Sequence, residues 1–399
     1  MPVISSGSES VALARLPALD GLRGIAALLV VLTHASFLTG LSGRPRLAGH
    51  LLGRGDFGVA IFFALSGFLL YRLMVHEADT TGRVRLAAYA ARRFARVVPA
   101  YWAALAALGL ATRPEVRDIV LHAIGAHIYV SDSMIPAFGQ SWSVATELSF
   151  YAALPFLVIV FSWLRQRRQA SVMGALLGLL ALTSVLGFTV GPAWLGEHVI
   201  LERLLPWRAP HFLIGMVIAE AAITPRHRAS RWLRRMAAQP GGCLAIAAAA
   251  YLASTTPLAG SLLLEPAHGL ALVLRTFFAS VVAGGLLLPL ALGPPSPWSH
   301  LLSKPAARWL GTISYGVFLW HLPVLEAIYY LTGAPHFRGG ILPLLSLALP
   351  ISLALGALSH RIIELPASRL AARLTRHGRE GQRHDEKDPD HSFEPGRAG

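Results

Sequence analysis

The sequence is poor in charged residues and has a single cysteine. Only 14% of its 399 residues are charged, whereas a soluble domain carries about 25%. With 54% hydrophobic residues and a mean hydropathy of +0.54, this shortage of charge argues against a large soluble core. It favours an all-α, polytopic membrane helix bundle. Because Cys243 is the only cysteine, a disulfide framework or a cysteine metal site within the chain is excluded.

Several motifs of soluble enzymes are missing as well. The sequence has no Gly-x-Ser-x-Gly nucleophile elbow, no His-Glu-x-x-His zinc motif and no glycine-rich phosphate loop before a lysine. No cationic region or cleavage site precedes the first apolar run, so we expect that run to be a retained span and not a signal peptide. Chemistry, if present, is expected from histidine, glutamate and arginine side chains in or near the membrane.

Basic residues outnumber acidic ones, 35 against 21, and give a net charge of +14. Nucleic-acid binding is one interpretation of such an excess. The basic residues, however, cluster between apolar runs, as the topology signals of membrane proteins do. We therefore expect the partner of these residues to be a lipid bilayer, and we expect no nucleic acid.

Ten apolar runs are candidate membrane spans. They are predicted at residues 24–41, 57–75, 97–111, 144–164, 171–190, 210–223, 242–256, 268–292, 308–331 and 341–363. Ten spans put both termini in the cytoplasm and the arginine clusters in inner loops. The short segment 118–130 is predicted to be interfacial or re-entrant, since an eleventh span would place the cluster at 165–168 outside. One membrane domain, residues 15–370, is expected between disordered ends at 1–14 and 371–399.

The first predicted span carries an arginine and a histidine eleven residues apart. In the stretch LDGLRGIAALLVVLTH, Arg23 lies at the start of the apolar run and His34 lies inside it. A titratable imidazole at that depth is costly. It is either a packed, hydrogen-bonded side chain or a general acid or base, because imidazole titrates near neutral pH. Arg23 is either a helix-end arginine that reaches the headgroups or part of the same site.

The loop before the third span contains Arg93 and Arg96, which lie on one helical face. One interpretation is that they only anchor the span in the cytoplasm. The other is that they bind a polyanion, for which a coenzyme A thioester in the cytosol is a fitting candidate.

Further polar residues lie in or beside apolar runs. In SWSVATELSFY, Glu147 and Tyr151 are four residues apart, and Trp142 lies on a neighbouring side of the helix. A carboxylate there must be paired or face a cavity. The remaining candidates for a cavity lining are Tyr315 and His321 in GTISYGVFLWHLP, and Ser66 in FFALSGFLL.

Taken together and in this order, these motifs resemble the acyltransferase family 3 of integral membrane O-acyltransferases. The matching pieces, which also include RRFARVVPAYW and HRIIELP, extend from Leu19 to Pro366. The resemblance implies an Arg-x10-His pair, met by Arg23 and His34, and an Arg-x-x-Arg pair, met by Arg93 and Arg96. It also implies transfer of an acyl group, acetyl in many members, from cytosolic acyl-CoA to a hydroxyl of a sugar, a cell-envelope glycan or a glycosylated natural product such as a macrolide.

On this basis the sequence predicts a complete site. Arg23, Arg93 and Arg96 would bind the phosphates of acyl-CoA, a co-substrate, with no bound cofactor and no metal. His34 would act as the catalytic base or briefly carry the acyl group, and Glu147 and Arg23 are the other catalytic candidates. Glu147 and Trp142 would orient the acceptor toward the outer side. Substrate-binding residues are expected at Trp142, Tyr151, Tyr315, His321 and Ser66.

A different class of function stays open at this point. Buried His34, Glu147 and His321 could form the proton relay or solute site of a transporter. A proton relay does not require a phosphate-binding arginine pair, which favours the transferase. The bias toward Ala, Arg, Leu and Gly favours a bacterial source, so the expected location is the bacterial cytoplasmic membrane, crossed several times.

Overall fold

The computed structural model describes residues 16–44, 46–167, 171–189, 201–262, 267 and 269–385. Within these ranges the chain is all-helical and contains no β-strand. In chain order the α-helices are α1 Pro17–Leu38, α2 Leu47–Gly53, α3 Phe57–Thr81, α4 Leu86–Thr112, α5 Val116–Ala123, α6 Ser141–Arg167, α7 Val172–Thr189, α8 Leu205–Ile223, α9 Arg228–Ala237, α10 Pro240–Ser254, α11 Gly269–Leu292, α12 Pro297–Leu302, α13 Pro305–Thr332, α14 Ile341–Ser359 and α15 Leu365–Asp385. Single turns of 3-10 helix lie at Arg54–Asp56, Pro136–Phe138, Leu201–Arg203 and Pro257–Ala259, and a π-turn, His360–Glu364, joins α14 to α15.

Each predicted span overlaps one of the long helices, and six stretches are long and apolar enough to cross a bilayer. These six are Pro17–Leu38, Leu47–Thr81, Leu86–Thr112, Ser141–Arg165, Gly269–Leu292 and Ile341–Thr375. A seventh is reached if α9 and α10, which meet at 91°, count as one span. Helices α8 and α13 are not among the six, and both carry charged and histidine side chains inside their length, such as Glu220 and His321.

Glycines let neighbouring helices approach closely, which is common where helices pack within a bilayer. A Cβ atom on Gly311 of α13 would lie 1.7 Å from the carbonyl oxygen of Asp20 in α1. A Cβ atom on Gly215 of α8 would lie 2.0 Å from the carbonyl oxygen of Ala64 in α3. Only glycine fits at these two crossings, and they hold α1 against α13 and α3 against α8.

Polar contacts mark two ends of the bundle. Arg165, near the end of α6, contacts Glu220 of α8 at 2.7 Å and Asp79 of α3 at 3.4 Å. Arg54, just before α3, donates hydrogen bonds to four backbone carbonyls around the end of α10, including that of Ser254 at 2.7 Å. Helices α3, α6 and α8 therefore end together, at the opposite end of the bundle from the end of α10.

Two loop predictions can be compared with the structure. Residues 118–130 hold most of the eight-residue helix α5 and the loop after it. This helix is too short to cross a bilayer. The segment from Ala371 does not begin as disorder, because α15 continues to Asp385. Its leucines and arginines recur at helical spacing, with Leu370 four residues before Leu374, which the high charge of the tail obscured. Residues 1–14 and 386–399 lie outside the described residues.

Candidate active site

Two of the cavities among the described residues are lined by residues that the sequence predicted for the site. The one we call the arginine cavity has a volume of about 100 Å³ and is lined by Arg23, Arg93 and Arg96. The one we call the histidine cavity has a volume of about 310 Å³ and is lined by His34 and Trp142. Helix α1 contributes to both, because eleven residues are close to three full turns and place Arg23 and His34 on one face, about 16 Å apart along the axis.

The arginine cavity collects most of the predicted site residues. Helix α4 supplies Arg93 and Arg96, whose spacing of three residues turns both toward the same side. Four more predicted residues complete this part of the lining: Ser66, Glu147, Tyr151 and Tyr315. Five helices that are distant in sequence thus present cations, a carboxylate and phenols to one small space.

The three arginines of this cavity are balanced unequally by acidic groups. Arg23 contacts Asp20 at 3.2 Å within α1, and Arg96 contacts Glu364 of the π-turn at 3.1 Å. Arg93 lines the cavity and has no carboxylate partner among the residues that the structure describes. It is therefore the arginine best able to bind an anionic ligand without first breaking an ion pair.

Glu147 is held by two hydroxyl groups at the wall of the arginine cavity. Its Oε1 atom accepts hydrogen bonds from Ser66 at 2.5 Å and from Tyr151 at 2.8 Å. Tyr315 lies nearby in the same lining, and its hydroxyl donates to the carbonyl of Val97 at 2.9 Å. These contacts satisfy the polar groups of the wall and fix the shape of the cavity.

The histidine cavity has an aromatic and a polar side. Trp142 lies under the guanidinium of Arg208, whose Cζ atom is 4.8 Å from the ring centroid. Gln140 also lines the cavity, and its Nε2 atom donates to the carbonyl of Leu319 at 2.7 Å, which ties the start of α6 to α13. An aromatic face beside hydrogen-bonding groups suits a ligand with both apolar and hydroxyl surfaces.

A charge cluster that sequence reasoning missed borders the same cavity. Arg275 of α11 contacts Asp56 at 2.5 Å and Glu202 at 3.6 Å, and Glu202 also lies 3.8 Å from Arg208. All four line the histidine cavity. Arg275 lies inside a long apolar run, and a lone arginine there is itself a signal of function or pairing. The sequence therefore did contain a signal for Arg275. Its acidic partners could not be predicted, because they lie in distant segments of the chain.

A thin apolar wall separates the two cavities. Val59 of α3 and Phe318 of α13 contribute to both linings. Phe62, which lines the arginine cavity, packs edge-on against Phe318 with ring centroids 5.9 Å apart. A ligand that reached from the arginines to His34 would have to pass between these side chains.

His34 has a second histidine behind it. Its Nδ1 atom lies 2.9 Å from the carbonyl oxygen of Val30 and 3.2 Å from Nε2 of His321. The Nδ1 atom of His321 lies 2.7 Å from the carbonyl oxygen of Phe318. His321 is fully buried and lines neither cavity. The structure thus places it behind His34, and not in the cavity lining where the sequence predicted it.

Glu147 also lies elsewhere than predicted. The sequence predicted that Glu147 and Trp142 together orient the acceptor toward the outer side, yet Glu147 lines the arginine cavity, whereas Trp142 lines the histidine cavity. The physical reason is helix geometry: five residues turn a helix by about 140°, so these two side chains leave α6 in different directions. No group of three or more potential metal ligands occurs among the described residues.

Comparison with known proteins assigns the family. The model of the acyltransferase domain family matches residues 16–359, which is most of the chain. This chain belongs to acyltransferase family 3. The match includes the helices that line both cavities, so the resemblance seen in the separate motifs extends over the whole bundle.

Curated relatives of this acyltransferase come from several bacteria. It is 26% identical over 348 residues to the peptidoglycan O-acetyltransferase OatA of Listeria monocytogenes, covering 77% of this chain and 49% of the relative. It is 26% identical over 371 residues to the putative peptidoglycan O-acetyltransferase YrhL of Bacillus subtilis, covering 88% and 54%. It is 25% identical over 384 residues to a putative O-acetyltransferase of Staphylococcus aureus, covering 88% and 57%. The chain therefore spans about half the length of the relatives it matches. No solved structure matches it.

Proposed function

We propose that this acyltransferase moves an acetyl group from acetyl-CoA, bound at the arginine cavity, to a hydroxyl of a cell-envelope glycan, bound at the histidine cavity. The observation that carries the proposal is the shared wall between an arginine-lined cavity and a cavity lined by a histidine. Family membership supplies the reaction class, and the printed names of the relatives favour acetyl as the group and peptidoglycan as the acceptor.

The donor site rests on the arginines. The phosphates of acetyl-CoA would lie against Arg93, with Arg96 and Arg23 nearby, because guanidinium groups pair well with phosphate oxygens. Glu147 faces the same cavity and, together with Tyr151 and Tyr315, would shape the path of the pantetheine arm. The arm would then pass the apolar wall and present the thioester to His34.

The chemical step uses His34 as a general base. The imidazole would take the proton of the acceptor hydroxyl as its oxygen attacks the thioester carbonyl. The carbon–sulfur bond then breaks, the acyl group stays on the acceptor oxygen, and the coenzyme A thiolate receives the proton from His34. Proton transfer of this kind contributes about 10²–10⁴-fold, and the rest of the acceleration would come from positioning.

The acceptor site rests on the histidine cavity. Trp142 offers an aromatic face and Gln140, Asp56 and Glu202 offer polar groups in the same lining, a combination suited to a sugar. A glycosylated natural product such as a macrolide carries the same chemistry and is the alternative acceptor. Parallel assays with muropeptides and with a macrolide glycoside distinguish the two.

We further propose that the chain crosses the bacterial cytoplasmic membrane ten times, with the arginine cavity toward the cytoplasm. The common end of α3, α6 and α8 supports this arrangement, because it holds Arg165, which pairs with two acidic groups, next to basic loops. A cysteine-accessibility map of the loops tests it, and an odd number of crossings would contradict it.

The reaction is tested by replacing His34 with alanine. Membranes containing the variant are incubated with acetyl-CoA labelled in the acetyl group and with muropeptides, and product and free thiol are measured. We expect a loss of about 10²–10⁴-fold in kcat. His300→Ala is the matched control because His300 is exposed on α12. Near wild-type turnover by a His34→Ala protein that is present at normal level would refute the mechanism.

The donor site is tested separately with Arg93→Ala. A charge-assisted hydrogen bond contributes about 1.5–3 kcal/mol, so the KM for acetyl-CoA should rise by about 10- to 100-fold while the KM for the acceptor stays the same. Arg235→Ala on α9 is the control, since Arg235 is exposed and lines neither cavity. An unchanged KM for acetyl-CoA in Arg93→Ala would mean that this arginine serves topology alone.

A further inference from the structure

We propose that His321 is a positioning residue that, together with the backbone carbonyl of Val30, fixes the tautomer of His34, so that the Nε2 atom of His34 is the basic nitrogen. The proposal rests on the proposed function in one respect, namely that His34 acts as a base. It assigns to His321 no contact with donor or acceptor, because this side chain is fully buried and lines neither cavity.

The hydrogen-bond chain starts at a backbone carbonyl. Nδ1 of His321 lies 2.7 Å from the carbonyl oxygen of Phe318, and a carbonyl can only accept a hydrogen bond. Nδ1 of His321 therefore carries the proton. A neutral imidazole has only one N–H group, so the Nε2 atom of His321 is left as an acceptor.

The same reasoning fixes the next ring. Nδ1 of His34 lies 3.2 Å from that acceptor nitrogen of His321 and 2.9 Å from the carbonyl oxygen of Val30. Both neighbours accept, so Nδ1 of His34 must be the donor and carries the proton. The lone pair is then on Nε2, which has no hydrogen-bond partner among the described residues. The two rings are 4.9 Å apart and inclined at 59°.

The direction of the hydrogen bonds decides whether His321 orients His34 or relays its proton. A proton moving from His34 to His321 would have to leave from Nδ1 of His321 toward the carbonyl of Phe318, which cannot take it. A proton taken up by His34 therefore has no onward path beyond His321, and it leaves from Nε2 of His34 to the departing thiolate. When His34 becomes positively charged, its Nδ1–H donates more strongly to His321, so the contact favours the protonated state that forms during the reaction.

Two amide substitutions separate the two hydrogen bonds of His321. An asparagine amide reaches the position of Nδ1 and keeps the donor to Phe318, but it is too short to accept from His34. A glutamine amide reaches the position of Nε2 and keeps an acceptor for His34. We expect His321→Asn to lower kcat by about 10- to 100-fold without changing either KM, and His321→Gln to stay within about fivefold of wild type. In a catalytic triad, a histidine held in the wrong tautomer lowers kcat by about 10⁴-fold. We expect a smaller loss here because the two tautomers of His34 can still interconvert in His321→Asn.

The tautomer itself is read by nitrogen-15 NMR of the full chain in detergent, labelled at histidine, with His34 assigned by comparison with His34→Gln. We expect a protonated Nδ1 and an unprotonated Nε2 in wild type and in His321→Gln. In His321→Asn only the carbonyl of Val30 still accepts from Nδ1, so we expect a measurable but partial population of the opposite tautomer. A protonated Nε2 in wild type, or full kcat in a folded His321→Asn protein, would overturn the proposal. This readout needs no acyl transfer. If no acetyl transfer is detected with the donor and the acceptor, the proposed function is refuted. The tautomer of His34 is then still judged from the nitrogen-15 NMR spectrum.

Discussion

The crossing of α1 and α13 at Gly311 gives a prediction whose size follows from the structure. In Gly311→Ala the new Cβ atom would lie 1.7 Å from the carbonyl oxygen of Asp20. Real Cβ atoms essentially never come within 3.0 Å of such a neighbour, so the two backbones must separate by about 1.3 Å. Because the neighbouring atom is backbone, no side chain can rotate away to relieve the clash.

The separation should disturb both cavities. Helix α1 carries Arg23 and His34, and α13 carries Tyr315 and His321. A shift of that size takes the His34–His321 contact from 3.2 Å to beyond hydrogen-bond range. Misplacement of a catalytic group by about 1 Å costs about 10²-fold, so we expect kcat for acetyl transfer to fall by about two orders of magnitude. The overpacked contact should also lower the free energy of unfolding by about 1–3 kcal/mol.

The assay is acetyl transfer from labelled acetyl-CoA, together with the melting temperature of the purified protein in detergent. Gly178→Ala is the matched control, because nothing lies within 4 Å of a Cβ atom at that position of α7, and it should leave kcat unchanged. A Gly311→Ala protein with wild-type kcat and melting temperature would refute the close crossing and, with it, the idea that α1 and α13 together set the geometry of the site.

The charge cluster and the stacked pair of His122 and His127 give two further expectations. Arg275→Met should lower the free energy of unfolding by about 3–5 kcal/mol, because Asp56 loses its partner. The double variant Arg275→Met, Asp56→Leu should recover part of this loss of stability. Equal melting temperatures for the single and the double variant would contradict the pairing. His127, in the loop after α5, stacks on His122 with centroids 3.9 Å apart. Burial lowers the pKa of His127 to about 3, so the unfolded chain takes up a proton that the folded chain refuses. Stability should therefore be full above about pH 6.5 and fall by about 1.4 kcal/mol per pH unit below it. His127→Gln should weaken this dependence, and parallel pH profiles would contradict it.

Much of the bundle could be predicted because its main signals lie within single helices. Apolar runs and arginine clusters gave the positions of the long helices, and the spacing of Arg23 and His34 put both on one face of α1. Arg93 and Arg96 share a face for the same reason, and both line the arginine cavity. Each of these inferences depends on helical periodicity alone, which a sequence shows directly.

The rest depends on contacts between helices, which no periodicity reports. Trp142 and Glu147 leave α6 in different directions, yet only the packing of the neighbouring helices decides that each meets a separate cavity. Asp56 and Arg275 are far apart in sequence, and their ion pair exists only because the start of α3 meets α11. His321 was correctly singled out as an expensive buried imidazole, but its partner on α1 could not be read from its own helix.

The wall formed by Val59 and Phe318 has a consequence for the cell that hosts this protein. A bundle whose buried charges and histidines were joined by one continuous water-filled passage would conduct protons and small ions, and the membrane potential would be dissipated. Val59 and Phe318 place apolar surface between the two cavities, so we expect the protein to hold ionisable groups at two depths without conducting ions. In the proposed reaction the acetyl group would pass this wall on the narrow pantetheine arm, and we expect bulk water and dissolved ions not to follow it.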